Sequence, residues 1–263
     1  MNDSAQTDNA LIRQDPSPLA AAATGIAKKK EDKPQVIYDA EARNRFEFSV
    51  LEGMKRYETA HVFEPLSDDR YMQWQREFKI KGNEDDVNEE AREASVRLWD
   101  DLIFDVANID FPEDTDFRQW IPPMEKVEAV NAYLAVAIAD NIEDETSKRT
   151  FGDDLKTIKV PTETFFNGEI ATQVHELRPA SLELEKKYSR IQGKRFKQEK
   201  IGGLRKKKAK IEFIPQDEKI GELYDEMFVS QEGFAGGKIP LRFKTTVIHH
   251  LFVEKLDQKK SQE

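Results

Sequence analysis

A pattern that recurs in the two halves of the chain constrains its fold more than any other feature. The run Leu98-Trp99-Asp100-Asp101-Leu102-Ile103 is matched later by Leu223-Tyr224-Asp225-Glu226-Met227-Phe228. In the same order, Ile121-Pro122 is matched by Ile239-Pro240, and each of these pairs precedes a predicted helix. A recurring pattern of this kind indicates a recurring structural unit. We therefore predict two divergent copies of one module.

Each predicted copy begins with a β-hairpin. In the first copy, Phe46, Phe48 and Val50 alternate with polar residues, as in a half-buried strand, and Glu52-Gly53 marks the turn. In the second copy the turn is Asn167-Gly168, because both residues tolerate the positive φ angles of a type I′ turn. The alternating residues that follow this turn are Ile170, Thr172 and Val174.

Three helices follow each predicted hairpin. Ser67 is the predicted N-cap of the first helix, and Ser181 has the corresponding place in the second copy. The next helix of the first copy is predicted from an apolar stripe, which consists of Ala91, Ala94, Leu98, Leu102, Ile103, Val106 and Ile109. The third is predicted over residues 124–138. The predicted fold class is α+β, with two hairpin plus three-helix modules in one pseudo-twofold body, since each copy is small for an independent core.

The first residues of the chain show no hydrophobic periodicity and end in a charged stretch, Lys28 to Pro34. A segment of this composition cannot bury enough apolar area to offset its ordering entropy. We predict a disordered N-terminal arm, which is either inert or a tether that orders on a partner. The predicted organisation is an arm at 1–36, a first repeat at 37–140, a linker at 141–154, a second repeat at 155–257 and a tail at 258–263.

The composition excludes several kinds of chemistry. The chain has no Cys, which rules out disulfides, thiolate metal sites and a cysteine nucleophile. Its formal net charge of −10 disfavours generic binding to nucleic acid. It holds no apolar run of about 18 residues, as a membrane-spanning helix requires, and the apolar stretch from Leu19 to Ala27 is too short for a secretory signal. We expect a cytoplasmic protein that does not contact a membrane.

The four histidines do not form a metal-binding pattern. His61 and His175 fall near the ends of corresponding predicted strands, and we interpret both as strand-surface residues. His249 and His250 are neighbours on a helix, so their side chains point about 100° apart and do not chelate one ion together. The chain also has no phosphate-binding glycine loop and no nucleophile motif. We expect no cofactor, no metal and no catalytic residue.

Acidic residues are abundant, and two acidic pairs recur. Asp100-Asp101 and Asp225-Glu226 have equivalent places in the predicted copies. We interpret most acids as the solvated faces of helices. The recurring pairs are interpreted as caps of a neighbouring helix or hairpin, or as equivalent partner-facing surfaces. An enzyme with a site built from scattered acids is the last of our hypotheses, because it requires buried, convergent carboxylates.

One segment of this acidic chain is strongly basic. The residues predicted to contact a partner or phosphate are Lys194, Arg195, Lys197, Lys200, Arg205, Lys206, Lys207, Lys208 and Lys210. Glu199 is the single acid among them, and Gly202-Gly203 predicts two elements around a flexible tip. The corresponding stretch of the first copy, 82–90, is acidic. The segment is a solvated loop, or it contacts phosphates, an acidic protein or the acidic stretch of a neighbouring subunit in head-to-tail assembly.

Four features carry a family resemblance. They are the short hairpin, the run Phe63-Glu64-Pro65-Leu66-Ser67-Asp68-Asp69-Arg70-Tyr71, the Leu98-Trp99-Asp100-Asp101-Leu102 helix and the helix from Ile121-Pro122 to Leu134. Together they resemble small proteins of tailed-phage and prophage structural modules, including tail assembly chaperones, over roughly 36–140 and 155–255. The resemblance implies a non-enzymatic protein, in the host cytoplasm or the virion, that binds other virion proteins and keeps them from premature assembly.

Two functional hypotheses follow from these features. The first is a non-enzymatic assembly or interaction protein, whose partners are proteins such as phage structural proteins or a second copy of the chain. The alternative is a nucleic-acid-associated protein that uses the basic segment 194–210. The alternative predicts binding that weakens steeply with salt, because phosphate contacts release counterions.

Overall fold

The structure is a computed structural model that describes residues 35–52, 55–77, 84–113, 115–139, 157–201 and 208–260. Pro34–Glu263 form one compact unit. The described strands are β1 Asn44–Glu52, β2 Lys55–Phe63, β3 Ile103–Ala107, β4 Ala137–Ile138, β5 Ile158–Phe166, β6 Glu169–Leu177, β7 Phe196–Ile201, β8 Lys208–Phe213 and β9 Phe228–Glu232. The described α-helices are α1 Asp68–Glu77, α2 Glu84–Leu102, α3 Pro123–Leu134, α4 Leu182–Gln192, α5 Asp217–Met227 and α6 Leu241–Lys260. Short 3₁₀ helices lie at Phe117–Gln119 and Ala235–Gly237.

The strands form antiparallel sheets. One sheet has the order β1-β2-β3, a second has the order β4-β5-β6-β9, and β7 pairs with β8 in a third. In both halves a hairpin and two helices precede a strand, a 3₁₀ helix and a last helix, and the second half adds β7 and β8 between its first two helices. The predicted α+β class is confirmed. The duplication and the pseudo-twofold relation stay predictions.

The start signals of the predicted elements are confirmed. The Arg70 N–H donates to Ser67 Oγ at 3.2 Å at the start of α1, and the Leu184 N–H donates to Ser181 Oγ at 3.3 Å at the start of α4. Each serine satisfies an N–H that the helix itself leaves without a partner.

The predicted turn at Asn167-Gly168 is also confirmed. Asn167 has a φ of 52° and Gly168 a φ of 82°, as a turn with two left-handed residues requires. The turn docks on the first half, because the Asn167 N–H donates to Asn44 Oδ1 at 2.8 Å. The Asn44 side-chain amide in turn donates to the Phe165 carbonyl at 3.0 Å. This one hairpin turn therefore holds β5 and β6 together and joins them to the start of β1.

The second helix predicted for the first half is wrong beyond Leu102. There α2 ends, and Ile103–Ala107 forms β3, which pairs with β2. Val106 is therefore a strand residue, and Ile109 lies beyond the strand. Ile103 and Val106 are both buried although they are three residues apart, because a bulge in the pairing with β2 adds a residue between them. The three-residue spacing that indicates a helix here comes from a bulged strand.

The third predicted helix is too long at its end. Helix α3 ends at Leu134, and Ala137–Ile138 forms β4 in place of a last helical turn. Ala137 pairs with Glu163 of β5, so residues assigned to the first repeat complete the sheet of the second half. At the other end of the chain, α6 continues to Lys260, past the predicted start of the tail at 258.

The segment before β1 also packs against the second half. The Tyr38 N–H donates to the Gly233 carbonyl at 2.9 Å, and the Ala235 N–H donates to the Tyr38 carbonyl at 2.8 Å. The Tyr38 ring is buried and meets Phe234 edge-on. Gly233 has a φ of 87°, and a Cβ there would lie 2.5 Å from the Thr172 carbonyl oxygen, so this contact requires glycine. The predicted arm up to residue 34 and the predicted linker lie outside the described residues.

Among the described residues, two clusters of buried side chains form the core. The first-half cluster consists of Phe46, Phe63, Leu98, Trp99, Leu102, Ile103, Val106, Ile121, Ala129, Val130 and Tyr133. The second-half cluster consists of Tyr38, Val160, Phe166, Ala171, Leu177, Tyr188, Ile191, Ile220, Leu223, Tyr224, Met227, Phe234, Ile239, Phe243, Val247, Ile248 and Phe252. The recurring aromatic residues, Trp99 and Tyr224, are fully buried in their respective clusters.

Candidate functional site

His61 is buried in the first half between two hydrogen-bond partners. It lies on β2, and its side chain has no exposed surface. The Trp99 indole N–H donates to His61 Nδ1 at 2.9 Å, so Nδ1 carries no proton. The ring proton is therefore on Nε2, which donates to Glu125 Oε1 at 3.0 Å. One strand and two helices thus meet at a single imidazole ring.

His175 has the corresponding place in the second half. It lies on β6 and is also fully buried. The Tyr224 hydroxyl lies 2.7 Å from His175 Nδ1, and the Thr162 hydroxyl lies 3.0 Å from Nε2. Because Thr162 donates its own proton to Gln173 Oε1 at 3.3 Å, its oxygen accepts the proton on Nε2. Tyr224 then donates to Nδ1, as Trp99 does in the first half.

The interpretation of His61 and His175 as strand-surface residues is therefore wrong. The alternation of apolar and polar residues predicted the wrong buried face, because the face of β6 that packs into the core includes polar side chains. The buried positions of β6 are Ala171, Gln173, His175 and Leu177, whereas the apolar residues Ile170 and Val174 on its other face are half-buried. Two of the four core-facing residues are polar: both ring nitrogens of His175 have hydrogen-bond partners, and Gln173 Oε1 accepts from Thr162.

The recurring acidic pairs join helices instead of capping them. Lys126 Nζ donates to Asp100 Oδ1 at 2.7 Å, and Lys244 Nζ donates to Asp225 Oδ1 at 2.8 Å. Each lysine also lies near the ring of the aromatic residue that precedes its acid, at 4.5 Å in the first half and 5.8 Å in the second. The second acid of each pair binds a cation on the preceding helix, α1 or α4.

Burial keeps several titratable side chains neutral near pH 7. It lowers the pKa of His175 to about 4 and, helped by the nearby Arg195 charge, lowers the pKa of His249 to about 4. It raises the pKa of Tyr133 to about 12, and it raises the pKa of Tyr224 as well. At neutral pH these groups are hydrogen-bonding parts of the core, and their chemistry is that of packing and positioning.

The basic segment forms a hairpin of its own. β7 and β8 pair in an antiparallel ladder that begins with Phe196 opposite Phe213. At the base of this ladder, the Ile214 N–H donates to the Arg195 carbonyl at 2.7 Å. The two elements predicted in the basic segment are therefore two strands. We call β7 and β8 together the basic hairpin.

Arg195, one of the predicted contact residues, anchors the base of the basic hairpin. Its Nη2 lies 3.3 Å from each carboxylate oxygen of Asp217, the first residue of α5. The Asp217 side chain is 4% exposed and the Arg195 side chain 17% exposed. Lys194 precedes Arg195 in a turn and is exposed. The structure thus uses Arg195 to fix the hairpin and leaves Lys194 at the surface.

The remaining predicted contact residues in the described strands fall into two groups, according to the residue that lies opposite each of them in the ladder. Lys197 and Lys210 lie directly opposite acids in the ladder. Lys200 lies opposite Ala209, and Lys208 lies opposite Ile201. The lysines without an acid directly across the ladder are thus at the end of the hairpin farthest from Arg195. Arg205, Lys206 and Lys207 lie outside the described residues.

No group of side chains in the described part of the chain is arranged to hold a metal ion. Among the same residues, no helix has both the length and the apolar character to cross a membrane. No family model matches the chain, and no curated protein and no solved structure is significantly similar to it. The candidate site is therefore defined by the geometry of the chain alone.

Proposed function

We propose that this chain is a non-enzymatic interaction protein and that its basic hairpin contacts an acidic surface of a protein partner. The observation that carries the proposal is the separate sheet of β7 and β8, which a buried Arg195–Asp217 contact ties to α5. In the first half, the described residues form no strand between α1 and α2. Within the described part of the chain, such a hairpin is therefore found in the second half alone.

The register of the hairpin supports a protein partner over a phosphate chain. Two of its four strand lysines lie opposite acids, so acids and cations alternate along part of the ladder. A phosphate backbone attracts a continuous row of cations, whereas an acidic protein surface with a few cations of its own complements a mixed row. Nucleic acid remains the alternative that the experiment below distinguishes.

The buried histidines support a role that does not involve catalysis. His61 and His175 have no exposed side-chain surface, and hydrogen bonds to core residues occupy both ring nitrogens of each. A general base must reach a solute through direct contact or one water molecule. These imidazoles are instead placed to hold a strand against helices.

The resemblance to tail assembly chaperones makes the structural proteins of a tailed phage the first partners to test. Such a partner would be held by the basic hairpin until it assembles. This part of the proposal rests on the resemblance alone.

The test is affinity capture by the full chain from a native lysate, with and without nuclease, followed by mass spectrometry. The hairpin variant Lys200→Glu/Lys208→Glu is compared with Lys186→Glu/Lys238→Glu, which makes the same charge change at two exposed lysines elsewhere. We expect a stoichiometric protein that resists nuclease, is lost from the hairpin variant and is kept by the control. Capture that both variants retain would contradict the proposal, and capture that nuclease abolishes would favour nucleic acid.

A further inference from the structure

The first half presents an exposed indole beside a surface pocket. Trp120 follows the first 3₁₀ helix and is 57% exposed, although its size favours burial. Together with Thr115, Asp116 and Gln119 it lines a pocket of about 510 Å³. An exposed indole face attracts a cation that lies within about 6 Å of it. We call these four residues the Trp120 pocket.

The loop that carries the Trp120 pocket is acidic. Asp110, Glu113 and Asp116 are all exposed, and residues 110–120 contain four acids and one cation. That cation is Arg118, whose Nη1 lies 3.6 Å from Asp116 Oδ1 and whose guanidinium lies over the Phe117 ring. After this internal pairing, the loop retains a net negative charge beside the indole.

The corresponding loop of the second half has the opposite character. When Ile121-Pro122 is matched with Ile239-Pro240, the position of Trp120 is held by Lys238, which is exposed. Gly236 and Gly237 precede it with φ values of 65° and 73°, and residues 233–238 contain no acid. The acidic aromatic surface therefore belongs to the first half, and the basic hairpin belongs to the second.

We propose that the Trp120 pocket of one copy binds the basic hairpin of a second copy, so that the protein associates head to tail. This inference rests on the proposed function, because it supplies a partner for the same hairpin. Lysines at the Lys200 end of the hairpin provide the cations, and Trp120 with the neighbouring acids provides the receiving surface. Because the two surfaces differ, the contact is heterologous and generates a ring or an open chain of copies.

Charge complementarity selects this occupant over an apolar peptide. The pocket is lined by one aromatic side chain and by Asp116, on a loop of net negative charge, and this is the chemistry that recognises a lysine or arginine side chain. The basic segment is the densest run of cations in a chain of net charge −10. Exposed charges make such a contact sensitive to salt, since ions screen them beyond about 10 Å at 0.1 M.

Sedimentation velocity on the full chain tests the inference, at rising protein concentration and at low and high salt. The pocket variant is Glu113→Lys/Trp120→Ala, and the hairpin variant is Lys200→Glu/Lys208→Glu. The pocket variant keeps Asp116, whose Oδ1 accepts from the Arg118 N–H at 3.1 Å at the start of the 3₁₀ helix. We expect wild-type oligomers that salt dissociates. Each variant alone should weaken self-association about tenfold or more. Circular dichroism and a melting curve confirm that each variant is folded.

An equimolar mixture of the two variants gives the decisive result. Each variant retains one intact surface, so the mixture should form a 1:1 dimer and nothing larger. A wild type that stays monomeric at all concentrations in low salt overturns the inference, and so does a wild-type oligomer that both variants preserve. A monomer whose hairpin still captures a lysate protein overturns the self-association alone and leaves the proposed function standing. Wild-type oligomers that each variant weakens, in a protein that captures nothing from the lysate, support the self-association and contradict a partner other than a second copy.

Discussion

His61 and His175 occupy corresponding core positions but differ in whether their hydrogen-bond partners can switch between donating and accepting. Trp99 donates to His61, and an indole N–H can never accept, so the proton pattern of the first-half network is fixed. His175 lies between the hydroxyls of Tyr224 and Thr162, and a hydroxyl can donate or accept by rotating its hydrogen. The comparison shows that a buried histidine can serve as a rigid joint or as an adaptable one, depending on its neighbours.

The difference lies in the direction that each hydrogen bond can take. The Trp99 N–H can only donate, so the bond that joins β2 to α2 through His61 has one possible direction. The Tyr224 hydroxyl can reverse its role by turning its hydrogen away from His175, although burial still lowers the pKa of His175 to about 4. Four experiments, in order of decreasing expected effect, test this comparison.

The largest expected effect comes from removing the aromatic partner of each histidine. Trp99→Ala should lower the free energy of unfolding by about 3–5 kcal/mol, because it deletes a fully buried indole and leaves a buried acceptor unsatisfied. Tyr224→Ala should cost less, because the removed ring is smaller. Urea unfolding followed by far-UV circular dichroism measures both. A larger loss of unfolding free energy for Tyr224→Ala than for Trp99→Ala would show that the His61–Trp99 contact contributes less to stability than the His175–Tyr224 contact.

The next effect is a pH dependence from the second half. Unfolded His175 takes up a proton near pH 6.5, whereas the folded protein takes it up near pH 4, because burial lowers the pKa. The unfolded state therefore binds more protons between these values, and stability falls as the pH drops from 6.5 to 4, by roughly 3 kcal/mol for this residue. His175→Gln should flatten the dependence of unfolding on pH, measured with urea at several pH values. His249→Gln is the companion variant, with a shift in the same direction. If the unfolding free energy of His175→Gln depends on pH as steeply as that of the wild type, the lowered pKa of buried His175 is not the cause of that dependence.

A smaller effect should follow from the other partner of His61. Glu125→Leu removes the acceptor of the Nε2 proton and should cost about 1–3 kcal/mol, since that buried donor then has no partner. Glu125→Gln keeps an acceptor oxygen in a similar position and should recover most of the loss. Chemical unfolding of both variants, with far-UV spectra of the folded forms, gives the comparison. Equal losses in Leu and Gln variants would mean that packing, and not the hydrogen bond, matters at this position.

The smallest effects concern the two lysine–aspartate contacts. Lys126 is 8% exposed and Lys244 is 21% exposed, so the first-half contact is better shielded from water. We expect Lys126→Met to cost about 1 kcal/mol and Lys244→Met about 0.5 kcal/mol or less. Melting curves at low and high salt measure both, and salt should reduce the second effect more. A larger cost for Lys244→Met would reverse the assignment of the stronger contact.

Local rules correctly predicted the parts of this fold that short-range chemistry determines. Ser67 and Ser181 start helices because their hydroxyls cap an N–H, and Asn167-Gly168 turns because both residues adopt positive φ. These features depend on a few neighbouring residues, so the sequence contains all the necessary information.

The incorrect predictions share a long-range cause. β3 was predicted as helix because a bulge against β2 reproduces the helical spacing of Ile103 and Val106. The burial of His175 depends on Tyr224, which lies far away in the chain. For the candidate site, the run of lysines identified the basic segment, but only the register distinguishes Lys197 from Lys200, and only the fold ties Arg195 to the structure. Each of these features is determined by contacts between residues that lie far apart in the sequence.

The docking of Tyr38 against Gly233 and Ala235 has a consequence for how the protein is made. The ribosome produces Tyr38 long before the glycine that receives it, so the nascent first half leaves the exit tunnel with this contact unmade. Contacts between distant parts of a chain form late and slow folding, because a long loop must close first. Until Gly233 emerges, the aromatic ring of Tyr38 is available to chaperones or to the wrong neighbour. The last step of folding should therefore be the closure of the N-terminal segment over the completed second half.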